Sequence, residues 1–405
     1  MQPLPDPTVV GFSAERLARL DKHLAGYVDD GRLTGWQLAL TRHDQLAHVS
    51  SYGWRDREAG LPVEPDTIWR IASMTKPITS VTAMSLWEEG VFELGDPISK
   101  WIPAFENVRV YDRGSVNAVF TVPAVEPVRV WHLLSHTSGL TAGFLYTSVV
   151  DALYRKAGYE WGKPLGTLEK CVDDWASLPL LFQPGTAWGY GVSTDVLGRL
   201  IEIWTGQRLD EAIASRVVDP LGMTDTVWYA DQGRADRLAA LYVPDPQTGQ
   251  ATRHTPADST GRTPPTLLSG GGGLLSTTSD YVRFTRMLAR GGELDGVRIL
   301  SPRTLKLMTT NHLDGDLGTW STGGFAETTF DGVGFGLGFA IVLDPIKLRN
   351  SSSPGEFYWG GAASTAFWVD PVEDLTAVFM TQLLPSSTYP IRAQLRQLVY
   401  SALVS

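Results

Sequence analysis

The chain has 405 residues, 43% of them hydrophobic and 19% charged, the composition of a soluble globular protein with a large core in two domains or one two-part unit. Its 34 basic residues against 44 acidic ones leave a net charge of -10, and with no basic run anywhere this argues against nucleic acid and anionic membrane as partners. A single cysteine, Cys171, excludes an intrachain disulfide and a thiolate metal cluster, and no stretch of about 18 apolar residues is present to span a bilayer.

The first residues, Met-Gln-Pro-Leu-Pro-Asp-Pro, have neither the basic nor the apolar region of a leader, so the cytoplasm is the expected compartment. Residues 12–31 read as an amphipathic helix, with Ser13 as N-cap and Leu17, Leu20, Leu24 and Tyr27 on one face. It is expected to lie on a sheet. Residues 36–41 and 46–52 read as two strands around the turn residues His43 and Asp44. From Ser73, apolar residues recur at helical spacing (Ile78, Val81, Met84, Leu86) until Gly90, which suits a C-terminal cap. On such a helix Lys76 shares a face with Ser73. A serine hydroxyl is a poor nucleophile until a base takes its proton, and a desolvated or charge-crowded lysine can be that base. The same residues also fit an N-cap serine with a solvated lysine one turn on.

Asp96-Pro97 starts a short helix that Pro103 ends. Residues 105–128 show no clear period and read as a long connection, a length that suits a substrate-covering loop as well as a link. Residues 130–140 form a short apolar helix closed by Gly139, where His136 reads as a hydrogen-bonding cap with a general base as the competing role. Residues 144–182 are helical and aromatic, and Phe144, Tyr146, Tyr154, Tyr159, Trp161, Trp175 and Phe182 are assigned mostly to the core. A turn over 183–191 places Tyr190 between two glycines at the mouth of a helix over 192–205, where a phenol can be presented as readily as packed. Another helix covers 210–217, and 242–268 has the Pro, Thr and Asp content of a surface loop or domain crossing. The glycines at 270–273 lack the Gly-Lys-Ser/Thr ending of a phosphate cradle, so close backbone packing is the reading. Helices at 280–288 and 302–309 precede strands at 335–343, 356–362, 365–369 and 375–382, with a turn at 370–374, and a helix over 390–404 closes the chain.

The simplest assembly is a mixed α/β (α+β) fold. An antiparallel sheet made from both termini is flanked by the terminal helices, with an all-helical domain inserted. The expected division is 1–75 and 266–405 for the α/β domain and 76–265 for the helical one.

Three motifs occur in order: Ser73-Met74-Thr75-Lys76, Tyr190-Gly191-Val192, and Trp359-Gly360-Gly361 in a late strand. Together they resemble the serine β-lactamase and penicillin-binding superfamily, specifically the class C β-lactamase fold and its relatives, the family VIII carboxylesterases and lovastatin-type acyltransferases. Leu133-Leu-Ser-His-Thr-Ser-Gly-Leu140, Pro184-Gly-Thr186 and Gly272-Gly-Leu-Leu-Ser276 match as well, so the resemblance covers nearly the whole chain. It implies a transpeptidase-like fold in which Ser73 is the nucleophile, Lys76 and Tyr190 are the shared general base and acid, and the backbone N–H groups of Ser73 and Ala362 form an oxyanion hole. Neither a metal nor a cofactor is implied. Free lysine and tyrosine both have pKa values near ~10, so the two would act as a pair sharing one proton, and which of them is the base stays open.

Penicillin-recognising members usually carry Lys-Thr-Gly where this chain has Trp359-Gly360-Gly361, and Tyr-x-Asn where it has Val192. Both polar handles are missing. Trp359, Gly360, Gly361 and Val192 are therefore expected to bind substrate as an apolar rim that suits an uncharged ester or thioester. The expected function is a serine esterase acting on small-molecule esters through an acyl-Ser73 intermediate. The alternatives are an acyltransferase that passes the acyl group to an alcohol, a weak β-lactamase or D,D-peptidase, and, from another class, a catalytically inactive binding protein on the same fold. The intact Ser73, Lys76 and Tyr190 argue against the last.

Overall fold

The computed structural model describes residues 2–160, 166–254, 260–322 and 330–404, so Trp161 lies outside the described residues. The first helix forms over Ala14–Asp29 (α1), where Ser13 Oγ accepts from the Arg16 N–H as its N-cap. The apolar run that follows folds into a hairpin of Gly35–Arg42 (β1) and Gln45–Asp56 (β2). His43 and Asp44 at its tip have φ of 51° and 60°, the left-handed pair that a tight two-residue turn requires.

Together with Leu61–Pro62 (β3), this hairpin forms one end of an eight-stranded sheet. The remaining strands come from the far end of the chain: Val333–Phe335 (β4), Ala340–Val342 (β5), Phe357–Gly360 (β6), Ala366–Asp370 (β7) and Leu375–Thr381 (β8). The order is β4-β5-β6-β7-β8-β1-β2-β3, and every neighbouring pair is antiparallel. N-terminal β1 thus closes on C-terminal β8, with Trp36 opposite Thr381 and Arg42 opposite Leu375.

Four more helices frame the sheet and the site: Thr75–Glu88 (α2), Ser193–Thr205 (α3), Thr278–Ala289 (α4) and Ile391–Ser401 (α5). Because side chains alternate across a strand, β1 and β8 feed two cores at once. Leu38 and Leu40 of β1 and Ala377 and Phe379 of β8 join Leu20 and Leu24 of α1 and Leu395 and Val399 of α5 in one cluster. Ala39, Val378 and Met380 point the other way, into the cluster that holds Tyr281, Phe284 and Met287 of α4. The terminal helices therefore cover one face and α4 the other. A buried ionic network pins α5 to the sheet: Glu356 accepts from Arg396 Nε at 2.8 Å and from the Tyr400 hydroxyl at 2.6 Å.

The structure corrects several local readings. Residues 105–128 contain a β-hairpin, Arg109–Ser115 paired with Ala118–Pro123, where a long connection was expected. A register shift between Tyr111 and Arg113 breaks its alternation, which hides the strand period in the sequence. With a second small pair, Tyr242–Pro244 and Ala251–Arg253, it shows that residues 76–265 are not all-helical. The run 335–343 is two strands, because the chain turns at Gly336 and Gly338: a Cβ at Gly336 would lie 2.1 Å from Met308 O, and Gly338 has φ of 98°. Asp96-Pro97 leads into a single 3-10 turn, Ile98–Lys100, and not a helix.

Phe379 packs between α1 and α5 at zero exposure, so Phe379→Ala should cost about 3–5 kcal/mol. A urea titration checks this, and a loss below about 1 kcal/mol would contradict the layer assignment.

Candidate active site

Strand Ile68–Arg70 pairs antiparallel with Leu275–Thr277, and the Ile71 N–H continues the ladder to Leu274 O at 3.2 Å. The chain then bends sharply. Ala72 has φ of 44°, a left-handed conformation that a residue with a Cβ seldom adopts, and it feeds a 3-10 turn, Ala72–Met74, that carries Ser73. The helix proper starts at Thr75, two residues later than its spacing predicts, and the Ser73 side chain caps no backbone group. Its hydroxyl is left to the site. Three bonds hold the turn in place: the Leu274 N–H donates to Thr75 Oγ1 at 3.1 Å, the Thr79 hydroxyl to Gly270 O at 2.8 Å, and the Tyr281 hydroxyl to Met74 O at 2.8 Å.

Ser73, Lys76 and Tyr190 converge. The Tyr190 hydroxyl donates to Ser73 Oγ at 2.6 Å, and Lys76 Nζ lies 3.5 Å from the same oxygen. Lys76 is only 5% exposed; its ammonium donates to Gly271 O at 2.7 Å and stands 4.5 Å from the centre of the Tyr190 ring. Tyr190 is both packed and presented. Its ring stacks on His136 at 5.1 Å and lies 5.7 Å from Trp359, while its hydroxyl reaches Ser73. Gly191 has a packing reason, since a Cβ there would lie 2.5 Å from Leu140 O.

His136 is fully buried, and its ring meets Phe335 edge-on at 5.6 Å. Burial, and then the Lys76 ammonium, push its imidazole well below the usual histidine range, so it is neutral. Its carbonyl accepts from the Gly189 N–H at 2.9 Å, which makes it a packing and positioning partner of the Tyr190 turn. Among the described residues its ring makes no bond to Ser73.

The end of β6 lies against the Ser73 turn. A Cβ at Gly361 would sit 2.4 Å from Ile71 O, so only glycine permits this approach. The following turn is held by Arg392 of α5, which donates to the carbonyls of Gly361 at 2.7 Å and Thr365 at 2.9 Å. The Ala362 N–H finds no acceptor among the described residues. Val192 lines the cavity in front of Ser73, whereas Trp359 and Gly360 line a small separate cavity beside Arg392 and Arg396, with Trp359 packed behind Tyr190.

The cavity at Ser73 measures about 800 Å³. Its walls include Phe144, Tyr154, Tyr159 and Trp175 from the segment assigned to core, together with Trp228 and Leu267. No residue of 105–128 lines it. Arg70 reaches it, but its guanidinium donates to Ala239 O at 2.6 Å and to Thr260 O at 2.7 Å. The sequence reading missed Asp195, a buried carboxylate that accepts from the Ser269 hydroxyl and the Gly271 N–H. The glycine run packs closely, as expected: a Cβ at Gly270 would lie 2.8 Å from Thr194 O and one at Gly273 would lie 2.5 Å from Trp228. Among the described residues no group of His, Cys, Asp and Glu is placed to hold a metal ion, and no helix is long and apolar enough to cross a membrane.

The beta-lactamase family model matches residues 20–401. The chain belongs to the beta-lactamase family. Within it, the sequence is 38% identical to Protein Rv1367c of Mycobacterium tuberculosis over 365 residues, 88% of each chain. It is 31% identical to Esterase EstB of Burkholderia gladioli over 418 aligned positions, 98% of each chain. Among solved structures it is similar to EstCE1, described as a hydrolase with promiscuous acyltransferase activity, with 27% identity, a TM-score of 0.78 and coverage of 95% of this chain and 99% of that one. The protein is thus a serine hydrolase of the beta-lactamase fold.

Two buried imidazoles make stability depend on acid. Burial, and next the Arg129 charge, push His132 down to about 4, and His136 is lowered too. A histidine whose folded pKa is depressed protonates first in the unfolded chain, so its stability contribution is complete above pH ~6.5 and is lost as pH falls through the folded value. The urea midpoint should therefore drop between pH 7 and pH 4.5, values chosen to bracket the ~6.5 of a free imidazole. His132→Gln should flatten that slope by up to about 1.4 kcal/mol per pH unit.

Proposed function

We propose that the protein is a carboxylesterase that hydrolyses small, uncharged esters through an acyl-Ser73 intermediate. The observation that carries this reading is the 2.6 Å approach of the Tyr190 hydroxyl to Ser73 Oγ with Lys76 Nζ 3.5 Å from the same atom. Ser73 Oγ attacks the ester carbonyl carbon, and its proton passes to the Tyr190–Lys76 pair. The negative oxygen of the tetrahedral intermediate is met by the backbone N–H groups of Ser73 and Ala362. Collapse breaks the bond to the alkoxide, which takes the proton from the pair. Water then attacks the acyl carbon, gives its proton to the same pair, and Ser73 leaves with it.

The substrate preference follows from what faces the cavity and what is missing from it. Val192 lines it where an amide would stand, no lysine takes the place of Trp359, which packs behind Tyr190, and Arg70 spends its guanidinium on carbonyls. Aromatic and aliphatic walls then favour an uncharged acyl chain over a β-lactam carboxylate. The name of Esterase EstB, whose sequence is similar over 98% of this chain, supports the same reading. A second reading, transfer of the acyl group to an alcohol, is favoured by a cavity of about 800 Å³ and by the acyltransferase activity in the description of EstCE1.

Ser73→Ala should lower hydrolysis of 4-nitrophenyl butyrate by about 10^4-fold while the protein stays folded. Tyr190→Phe should lower kcat far more than it raises KM, because the lost hydroxyl acts in the transition state. For the wild type, kcat/KM on nitrocefin should fall below that on the butyrate by at least about tenfold, since the polar handles for a β-lactam are absent. Equal turnover of the two substrates, or a folded Ser73→Ala protein retaining more than about a tenth of the activity, would overturn the proposal. Added alcohols that divert product from acid to ester would mark the transferase reading.

A further inference from the structure

Asp195 takes no part in the scheme above, although it stands five residues after Tyr190 in the first turn of α3. It is 6% exposed. Oδ1 accepts from the Ser269 hydroxyl at 2.5 Å and from the Gly271 N–H at 3.1 Å. A Cβ at Gly271 would lie 2.6 Å from Asp195 Oδ2 and 3.2 Å from Lys76 Nζ, so the two atoms flank one point. That places them within the ~4–6 Å over which opposite charges govern each other's protonation. Gly271 joins them a second way, since its N–H bonds Asp195 and its carbonyl accepts from Lys76 at 2.7 Å.

A buried carboxylate without a cation is costly. Burial pushes the Asp195 carboxyl up, and the Lys76 charge is the chief influence drawing it back, followed by the Ser269 and Gly271 bonds. The Cys171 thiol of the helix Leu168–Ala176 also feels the Asp195 charge, and burial raises that thiol and keeps it neutral. The first turn of α3 adds the positive end of a helix dipole. Lys76 is therefore the counter-ion that Asp195 has.

We propose that Asp195 is a positioning residue for acyl transfer, a buried counter-ion that holds Lys76 as an ammonium so that the Tyr190 oxygen accepts the Ser73 proton. The proposal rests on Ser73, Lys76 and Tyr190 being the reacting set. One proton shared between a lysine and a tyrosine can sit on either, and a fixed anion beside the amine favours the state with ammonium and phenolate. The Ser73 proton then moves to the phenolate oxygen, Lys76 keeps its three protons, and the negative charge passes from the phenolate through Ser73 Oγ to the tetrahedral oxyanion.

The test is the pH profile of kcat/KM for the wild type, Asp195→Asn and Ser269→Ala, each checked for folding, with Ser73→Ala in parallel. Asparagine keeps the shape and both bonds to Oδ1 but removes the charge. Without the anion the pair loses its proton more readily, so the rising limb should move to lower pH by about one unit or more, with kcat at the plateau reduced by about tenfold and KM changed by less than about threefold. Ser269→Ala, which weakens the same carboxylate from outside the pair, should move the limb the same way by less. A carboxyl with a purely structural part would change stability and amplitude and leave the limb in place. An unmoved limb in folded Asp195→Asn overturns the proposal, and if that variant fails to fold, an unmoved limb in Ser269→Ala does so. Activity that survives Ser73→Ala would instead overturn the underlying set, whereas Ser73-dependent activity with an unmoved limb removes Asp195 alone.

Discussion

Helix α2 is buried on nearly every side, and the chemistry of the protein depends on that confinement. Every residue from Thr75 to Met84 is buried, so the helix cannot rotate or slide without opening core on several faces. Its hydroxyl-bearing residues are reconciled with burial by the helix itself and its neighbours: Thr82 donates to Ile78 O, and Thr79 to Gly270 O. Ser73 sits on the turn that enters this fixed helix. The strained Ala72 and the close packing of Gly361, Gly270, Gly271 and Gly273 set the turn's surroundings, and a Cβ at Gly361 or Gly270 would press on the backbone of Ile71 or Thr194. Placement to within a few tenths of an ångström is what a nucleophile, its proton partner and an oxyanion site require of one another.

Three distant stretches supply that arrangement. The turn of Ser73 comes from the strand leaving the N-terminal hairpin, Tyr190 from the glycine-flanked entry to α3, and Ala362 from the end of β6. The pairing of β1 with β8 brings the two ends of the chain into one sheet, with α1 and α5 on one face and α4 on the other, while α2 and α3 pack on one another. The site lies where these parts meet, as ligand sites at junctions between subdomains commonly do.

Much of this was legible in the sequence because it is encoded locally. The three-residue spacing of Ser73 and Lys76, the glycines around Tyr190 and the alternation in β1, β7 and β8 each fix a geometry that does not depend on the rest of the fold. What stayed hidden depends on distant neighbours. The hairpin over Arg109–Ser115 and Ala118–Pro123 lost its period to a bulge. Phe144, Tyr154, Tyr159 and Trp175 are as apolar as any core residues, and only the assembled fold shows that one side of them faces open volume. Trp359 went the other way, an expected rim residue that instead backs the Tyr190 ring. Asp195 was invisible because its partners, Lys76 and Gly271, are brought to it by two other segments, and nothing near it in sequence marks a carboxylate as buried beside an ammonium.

The proposed chemistry is economical in parts: one hydroxyl, one phenol, one ammonium and two backbone donors, with a carboxylate behind them. All of it turns on whether Ser73 becomes acylated. The most direct measurement is the mass of the protein quenched during turnover of a slowly hydrolysed aryl ester, followed by mapping of the modified peptide. The account predicts an added acyl mass on the peptide that contains Ser73, formed before acid product accumulates and missing in Ser73→Ala. Steady hydrolysis with no adduct, or with the adduct on a different residue, would contradict it.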